Sequence, residues 1–352
     1  MDDAIQGRIA SLIGSSISSG LFPGAVWLVE EAGRLVSQGV AGLAQEVPQR
    51  IAMHETCVFD LASLTKPVCT ATIALRMWEA GELSLDEPVK SYLPEFSGGW
   101  RNRVVLSQIL SHCSGLPSGL PIPQLCKDAS QVLGAICKAR MEYEPGSRAI
   151  YSDVGFILLG KLLERVWGQS LDALGGQVVF RPLGMLRTMY RPPRRLRPDI
   201  AATQRSQTGR TALVGVVHDG TARFMGGVSG HAGLFSCVGD LGKYCGMMLG
   251  RGKRLLSSRT IQEATRVWAA HGRNAYGLGW FKRRWPENPA SMHFSESAYG
   301  HTGYTGTSIW IDPARDFFAI LLTNRVHSKS DGGRIPEMNR VRRKFHDLAL
   351  GF

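Results

Sequence analysis

The sequence predicts an α+β fold, an α/β sandwich whose antiparallel sheet is built from both chain ends, flanked by helices, and carries an inserted, mainly helical region. Segment 24–44 has the composition and turn signal of two strands, and segment 276–325 returns to strand character. Between them, from about residue 64 to 270, apolar residues recur at helical spacing. Strands near both termini around a helical middle also predict a cleft between the two parts, a common place for a site.

The predicted elements follow one another in a simple order. Residues 24–44 (GAVWLVEEAGRLVSQGVAGLA) indicate two strands that turn at Ala32-Gly33. The helical segments with i, i+3, i+4 spacing are SQILSHCSGL (107–116), DASQVLGAICKAR (128–140), SDVGFILLGKLLERVWG (152–168) and CVGDLGKYCGMMLG (237–250). Strand segments YGLGWFKRR (276–284) and TSIWIDPARDFFAILLTNR (307–325) precede a closing helix, PEMNRVRRKFHDLAL (336–350). We expect one domain, 1–352, with a sheet subdomain at about 1–65 and 270–352 and a helical subdomain at about 66–269.

The composition is that of a globular protein with a sizeable core. The chain has 352 residues, of which 44% are hydrophobic and 20% charged, and no stretch approaches the unbroken apolar run of a membrane span. The N-terminal MDDAIQGRIASLIGSSISSG lacks the basic start and apolar block of a signal peptide. These features predict a cytoplasmic protein without a membrane partner.

Positive charge is in excess, with 41 Lys and Arg against 29 Asp and Glu and a formal net charge of +12. Much of the excess lies in three short runs, 187–198, 281–285 and 340–346. An anionic partner or nucleic acid is one interpretation, but the runs lie far apart and show no nucleic-acid motif, which favours a solvated surface. We therefore expect no nucleic-acid partner.

Metal and other cofactors are not expected. The seven cysteines form no CxxC or Cys/His ligand spacing, and five of them sit among apolar neighbours as small hydrophobic residues do. VVHDG (216–220) has no second ligand at helical or strand spacing.

One short stretch, FDLASLTKP (59–67), combines residue types typical of nucleophilic catalysis. Pro67 has no N–H to donate to the carbonyl of residue 63, so Ser63 is predicted in the irregular first turn of a helix. Lys66 returns to the same face, within reach of the Ser63 oxygen. Serine needs a base beside it, and Ser–Lys is a recognised pairing; a helix cap followed by a surface lysine is the alternative. The stripe after it is expected in the core: Val68, Leu75, Met77 and Trp78.

Two further segments supply matching elements. GSRAIYSDVGFILLG places Tyr151, Ser152 and Asp153 at the head of a helix, and YGHTGYTGTSIWIDP places His301, Thr302 and Gly303 at the start of a strand. With SLTK, YSD and HTG in this order, the chain resembles the serine β-lactamase and penicillin-binding-protein superfamily. The likeness is closest to the class C branch, which includes esterases, D-aminopeptidases, D-alanyl-D-alanine carboxypeptidases and acyltransferases. It runs from about residue 20 to 350 and implies a β-lactamase/transpeptidase-like fold.

The resemblance also implies roles for these residues. Ser63 would attack a carbonyl and become acylated, while Lys66 and Tyr151 would share the proton transfers. The backbone N–H groups of Ser63 and Tyr304 would form the oxyanion hole, and Thr302 and His301 would meet the polar or anionic end of the substrate. Such oxyanion donors are typically worth about 3–4 kcal/mol of barrier each.

Asp153 stands where the family pattern has asparagine. A carboxylate pointing at Lys66 would keep the lysine protonated, and Tyr151 beside that cation would then be the better general base. The alternative is that Asp153 caps the following helix. His301 stands in place of a lysine, and a mostly neutral histidine holds an anion less firmly. This departure favours ester or amide substrates that lack a free carboxylate.

Other candidates have supporting roles. His112 is either a residue behind the site or, by preference, a buried hydrogen-bonded histidine, and His231 lies in a glycine-rich loop (226–233) that could border the cleft. Segments 115–125 and 187–197 are expected to shape the pocket mouth.

The function that follows is a serine acyl-enzyme hydrolase that acts on a small-molecule ester, amide or β-lactam-like substrate. An acyltransferase with the same acyl-enzyme, and a non-catalytic penicillin-binding-like module, are the alternatives. The absence of a GxSxG motif argues against an α/β-hydrolase.

Overall fold

The computed structural model describes residues 2–283, 290–328 and 334–352. Arg284 and Trp285 of the predicted basic run therefore lie outside the described residues. In these ranges the strands are β1 (Gly24–Glu31), β2 (Arg34–Gln45), β3 (Ile51–Ala52), β4 (Phe59–Asp60), β5 (Met189–Tyr190), β6 (Leu234–Ser236), β7 (Ala269–His271), β8 (Asn274–Tyr276), β9 (Phe281–Lys282), β10 (Tyr299–Thr302), β11 (Ser308–Asp312) and β12 (Phe317–Thr323).

Helices outnumber strands in the chain between β4 and β7. The α-helices are α1 (Asp3–Ser18), α2 (Thr72–Glu79), α3 (Val89–Tyr92), α4 (Leu106–Leu110), α5 (Ile122–Leu125), α6 (Val132–Lys138), α7 (Asp153–Trp167), α8 (Leu171–Leu174), α9 (Arg181–Leu183), α10 (Gly220–Phe224), α11 (Val238–Met248), α12 (Ser258–Thr265) and α13 (Ile335–Ala349). The 3₁₀ segments are Ala62–Leu64, Gly99–Arg103, Ala129–Gln131, Arg194–Asp199, Pro313–Arg315 and Arg325–His327, and the π-helical ones are Lys66–Ala71 and Gly175–Phe180.

The predicted antiparallel sheet from both chain ends is confirmed. Within the described ranges, nine strands form it in the order β3-β2-β1-β12-β11-β10-β9-β8-β7. The N-terminal hairpin β1–β2 meets the C-terminal strand β12 at its centre, where Trp27 lies opposite Leu321. A second, three-stranded sheet, β4-β6-β5, pairs the strand before Ser63 with two strands from within the helical part of the chain.

Alternating side chains of the central strands bury both faces of the sheet. Trp27 and Leu321 point to one face, where they pack with residues of α1 and α13 such as Ile13 and Phe345. Val26 and Ile320 point to the other face and join the larger core of the helical region. The sheet is therefore the middle layer of the molecule, as expected for an α/β sandwich.

One predicted helix, 107–116, is shorter than expected. It ends at Leu110 because His112 and Gly115 take positive φ angles, +58° and +81°, which a helix cannot accommodate. The stripe after Ser63 is in the core as predicted, with Val68, Leu75 and Met77 buried and Trp78 packed against them. In the part of the chain that the structure describes, no helix combines the length and apolar composition that crossing a bilayer requires.

Candidate active site

Ser63 lies in a single 3₁₀ turn directly before a helix, as the sequence predicted. The turn spans Ala62–Leu64, and the next residues form a π-helical segment that begins at Lys66. Pro67 lacks the N–H that would donate to the Ser63 carbonyl in a regular α-helix. The Thr72 hydroxyl donates to the Pro67 carbonyl at 2.7 Å. This geometry brings Lys66 Nζ to 3.2 Å from Ser63 Oγ.

The ammonium of Lys66 is fully buried and surrounded by oxygen atoms. Besides Ser63 Oγ, it contacts the backbone carbonyl of His231 at 3.1 Å and Asp153 Oδ1 at 2.6 Å. Burial disfavours the charged form, but the carboxylate of Asp153 and the Tyr151 phenol outweigh it and raise the pKa of Lys66 above its ordinary value. The resting lysine is therefore protonated, and it offers one N–H to each neighbour.

The interpretation of Asp153 as a helix cap is wrong. Ser152 is the N-cap of α7, and its hydroxyl accepts from Gly155 N at 3.0 Å. Asp153 is the first helical residue, and its partly exposed side chain points at Lys66. Burial opposes ionisation, but the Lys66 ammonium holds the pKa of Asp153 below its usual range. The two side chains form an ion pair next to the Ser63 hydroxyl.

Tyr151 lies beside this pair, with its ring centre 4.7 Å from Lys66 Nζ. From the sequence, we expected Tyr151 to be the better general base if Asp153 keeps Lys66 protonated. Instead, burial dominates over the attraction of Lys66 and raises the pKa of Tyr151. In the resting site Tyr151 is a neutral phenol, ready to donate a hydrogen bond rather than to accept a proton.

The HTG segment lies at the end of a strand, not at the start as the sequence suggested. His301 and Thr302 close β10, and Gly303 begins the turn to β11. Glycine is required at 303, because a Cβ there would lie 2.3 Å from the Leu61 carbonyl oxygen. Thr302 lines the pocket that holds Ser63.

His301 precedes Thr302 but does not line this pocket, and its side chain is only 1% exposed. Its ring stacks on Phe281, and Nδ1 lies 2.8 Å from the carbonyl oxygen of Thr302. Burial and the Lys66 charge lower the pKa of His301 to about 3. His301 is therefore neutral and supplies no positive charge to the pocket.

Two backbone N–H groups are available for an oxyanion. Ser63 and Tyr304 line the same pocket. Among the residues that the structure describes, neither of their N–H groups donates a backbone or side-chain hydrogen bond. Tyr304 is also 48% exposed and stacks on His218, so it forms part of the rim.

The pocket has a volume of about 350 Å³ and includes residues that the sequence analysis missed. Arg325, Asn339 and Arg342 line it. The last two belong to the closing helix α13, and no sequence motif indicated that this helix borders the site. Arg342 Nη2 donates to the carbonyl oxygens of Gly303 and Thr307, at 2.8 and 2.9 Å. Burial lowers its pKa to about 9, so it stays charged at neutral pH.

An apolar wall completes the pocket, formed by Tyr276, Phe281, Ile335 and Met338. The segments expected at the pocket mouth, 115–125 and 187–197, contribute no lining residue among those described.

The two remaining histidine candidates lie behind the site. His112 is buried, and its Nδ1 accepts a hydrogen bond from the Ser152 N–H at 3.1 Å. Its ring packs on that of Tyr151, with 4.6 Å between the ring centroids. This arrangement fits the preferred, buried alternative. His231 borders the site through its carbonyl at Lys66, and its ring is paired with Asp219 of the VVHDG segment at 2.9 Å.

Comparisons with known proteins show the family of this chain. The family model described as Beta-lactamase matches residues 2–341. A Bacillus subtilis (strain 168) protein named N-acetylmuramyl-L-alanine amidase is 32% identical over 361 residues, which cover 91% of this chain and 81% of that protein. The chain belongs to the beta-lactamase family.

Solved structures share this fold. One described as EstCE1, a hydrolase with promiscuous acyltransferase activity, matches with a TM-score of 0.81 at 21% identity and covers 99% of both chains. A class C beta lactamase from Rhodobacter sphaeroides matches with a TM-score of 0.78 at 23% identity, covering 98% of this chain and 99% of that one. The protein is a serine hydrolase of the beta-lactamase family, and the predicted β-lactamase-like fold is confirmed.

Proposed function

We propose that the protein cleaves an ester or amide through an acyl intermediate on Ser63. The observation that carries this proposal is the contact of 3.2 Å between Ser63 Oγ and a buried Lys66 that is itself held by a carboxylate. Serine becomes a useful nucleophile only when a neighbouring group takes its proton. Here that group is the Lys66–Asp153 pair.

The proton follows a relay in this proposal. As Ser63 Oγ attacks the carbonyl carbon, its proton passes to Lys66 Nζ while Lys66 gives a different proton to Asp153 across their 2.6 Å contact. The lysine is protonated before and after the step, and the net acceptor of the serine proton is the Asp153 carboxylate. The C–O bond to the serine forms, and the carbonyl oxygen takes the negative charge.

The rest of the cycle uses the same groups. The N–H groups of Ser63 and Tyr304 stabilise the oxyanion, a contribution of about 3–4 kcal/mol each. When the tetrahedral intermediate collapses, the leaving-group bond breaks and the leaving atom takes a proton from the Tyr151 phenol, which Lys66 and Asp153 replenish. Water then attacks the acyl carbon and gives a proton to the Lys66–Asp153 pair, the bond between the acyl carbon and Ser63 Oγ breaks, and Oγ takes that proton back as the acid leaves.

The charge of the pocket supports a substrate with an anionic group. Because His301 is neutral, the sequence alone favoured substrates without a carboxylate. Arg342 instead places a permanent cation next to Gly303, at the end of β10. Together with the amidase name of the Bacillus subtilis relative, this supports an N-acylated or esterified amino acid or peptide carrying a carboxylate. A cytoplasmic location belongs to the same proposal, and cell fractionation tests it.

Acyl transfer is the second candidate. It is favoured by the apolar wall of Tyr276, Phe281, Ile335 and Met338 beside Ser63, which would seat an organic alcohol or amine next to the acyl group. The fold neighbour described as a hydrolase with acyltransferase activity points the same way. Product analysis with an added alcohol separates ester formation from hydrolysis.

The experiment is the mass of the intact protein after mixing with a p-nitrophenyl ester and, separately, with a penicillin. Wild type and Ser63→Ala are compared, and p-nitrophenol release is followed in parallel. We expect an acyl adduct or catalytic release in wild type and neither in Ser63→Ala. A penicilloyl adduct on Ser63 would indicate a substrate like those of penicillin-binding proteins.

Two results would contradict the proposed acyl-enzyme. If neither compound forms an adduct and no ester or amide from a panel is turned over, the protein is a non-catalytic penicillin-binding-like module and the proposed catalysis by Ser63 is refuted. Activity that persists in a folded Ser63→Ala variant refutes the acyl-enzyme.

A further inference from the structure

Asp60 is a buried carboxylate that the proposed chemistry does not use. It ends β4, three residues before Ser63, and is 2% exposed. Each of its oxygens accepts a backbone N–H from a different segment: Oδ1 from Ala62 at 2.8 Å and Oδ2 from His218 at 2.6 Å. A buried carboxylate that bonds backbone N–H groups on both sides fixes those two segments relative to each other.

Ala62 needs such support because its backbone is strained. It has a φ of +47°, in the left-handed region that residues with a Cβ enter at a cost of roughly 1–2 kcal/mol. The unusual angle turns the chain from β4 into the Ser63 turn. The Ala62 N–H held by Asp60 is the bond that spans this bend.

Asp60 is also joined to the two other parts of the site, the turn that carries Tyr304 and the segment that holds Lys66. Thr305, next to the oxyanion residue Tyr304, donates its hydroxyl to the Asp60 carbonyl at 2.7 Å. On the other side, His218 precedes Asp219, which pairs with the ring of His231. The carbonyl of His231 in turn holds Lys66.

We propose that Asp60 is a positioning residue for the reaction: its carboxylate holds the strained Ala62 bend and thereby sets Ser63 against Lys66 and the Tyr304 N–H. This inference rests on the proposed acyl-enzyme. It adds a residue that touches no substrate and acts through the backbone. Misplacing a nucleophile by about 1 Å can cost 10²-fold in rate.

The carboxylate must be ionised to serve both N–H groups, since a protonated oxygen would present a donor to one of them. Burial, together with the nearby Asp219, raises the pKa of Asp60, while the two backbone N–H groups and the Arg223 guanidinium lower it, with a result of about 6. At pH 7 and above, Asp60 is mostly ionised.

The test compares wild type, Asp60→Asn, Ala62→Gly and the double variant by the rate of acylation with a p-nitrophenyl ester at pH 8. Asparagine keeps the shape but turns an NH₂ toward one of the two N–H groups. We expect kcat to fall about 10- to 100-fold with KM within about twofold. Glycine adopts φ of +47° without strain, so Ala62→Gly should return at least a fivefold gain in the Asp60→Asn background while leaving the otherwise wild-type enzyme near its normal rate.

The outcomes are separable from those of the proposed function. If wild type itself is never acylated, the acyl-enzyme fails. If wild type is acylated and Asp60→Asn matches its kcat, the positioning role fails. A folded Asp60→Asn variant whose loss is confined to KM, or is unchanged by Ala62→Gly, also overturns the inference. Circular dichroism and thermal midpoints confirm that all variants are folded.

Discussion

Replacing Asp153 with asparagine tests the proton relay directly. The wild-type pair joins Lys66 Nζ and Asp153 Oδ1 over 2.6 Å. At an effective dielectric constant of 20, Coulomb's law gives about 6 kcal/mol for this separation. Because the Asp153 side chain is 39% exposed, solvent reduces the interaction to a few kcal/mol. That is enough to keep the resting proton on the lysine.

Asparagine cannot take the proton that Lys66 passes on, so Lys66 of the variant must act as a neutral amine. With an ordinary pKa, only about 0.04% of lysine is neutral at pH 7, and burial raises that fraction. We therefore expect acylation at pH 7 to fall on the order of 10²- to 10³-fold. The rate should recover as the pH is raised.

The assay is the pH profile of kcat/KM for a p-nitrophenyl ester, with Asp86→Asn as a control that neutralises an exposed carboxylate outside the pocket. In wild type the relay works with the ion pair intact, so the acidic limb should lie near pH 6, where Asp60 protonates. In Asp153→Asn the limb should move to higher pH. A limb that moves to lower pH would mean that Asp153 only restrains a lysine base, and an unmoved limb would uncouple Asp153 from catalysis.

Three further expectations follow. Ser63→Ala should abolish turnover with an unchanged circular dichroism spectrum; turnover near wild type would contradict the mechanism. Arg342→Gln should raise KM about 10-fold or more for an ester with a carboxylate and less than threefold for a neutral ester, whereas Arg340→Gln, on the exposed side of α13, should change neither; equal effects on both esters would remove the anion role. Asp60 binds its proton more tightly in the folded state, at a pKa of about 6 against 3.8, so its contribution to stability is present below pH 3.8 and is lost as the pH rises through 6. Urea unfolding should therefore show Asp60→Asn gaining about 3 kcal/mol relative to wild type between pH 3.8 and 7.5, and a constant difference would show that the Asp60 pKa is not raised.

Much of the fold could be predicted from the sequence because its signals are local. The strand pair around Ala32-Gly33, the period of α7 and the closing helix α13 depend on which residues neighbour one another along the chain. The Ser63–Lys66 contact is local as well, since one turn of chain separates the two residues. Pro67 marked the irregular turn in advance because a missing N–H has the same consequence in any tertiary setting.

Contacts between distant segments required the tertiary structure. Asp153 was ambiguous in the sequence because aspartate both caps helices and pairs with lysine, and Ser152 decided the question by taking the cap. The pKa of Tyr151 depends on how deeply the ring is buried, which outweighs the nearby cation. The local sequence shows neither how deeply the Tyr151 ring is buried nor which way the Asp153 side chain points.

The fold class, the family resemblance and the serine–lysine pair could all be predicted from local patterns in the sequence. The groups around that pair became known from the folded molecule: the carboxylate of Asp153, the carbonyl of His231 and the cation of Arg342. These groups come from parts of the chain far apart in sequence. Electrostatic energies vary with distance and burial, which are properties of the folded molecule. The reactive residue types can therefore be identified from the sequence, whereas their charge states cannot.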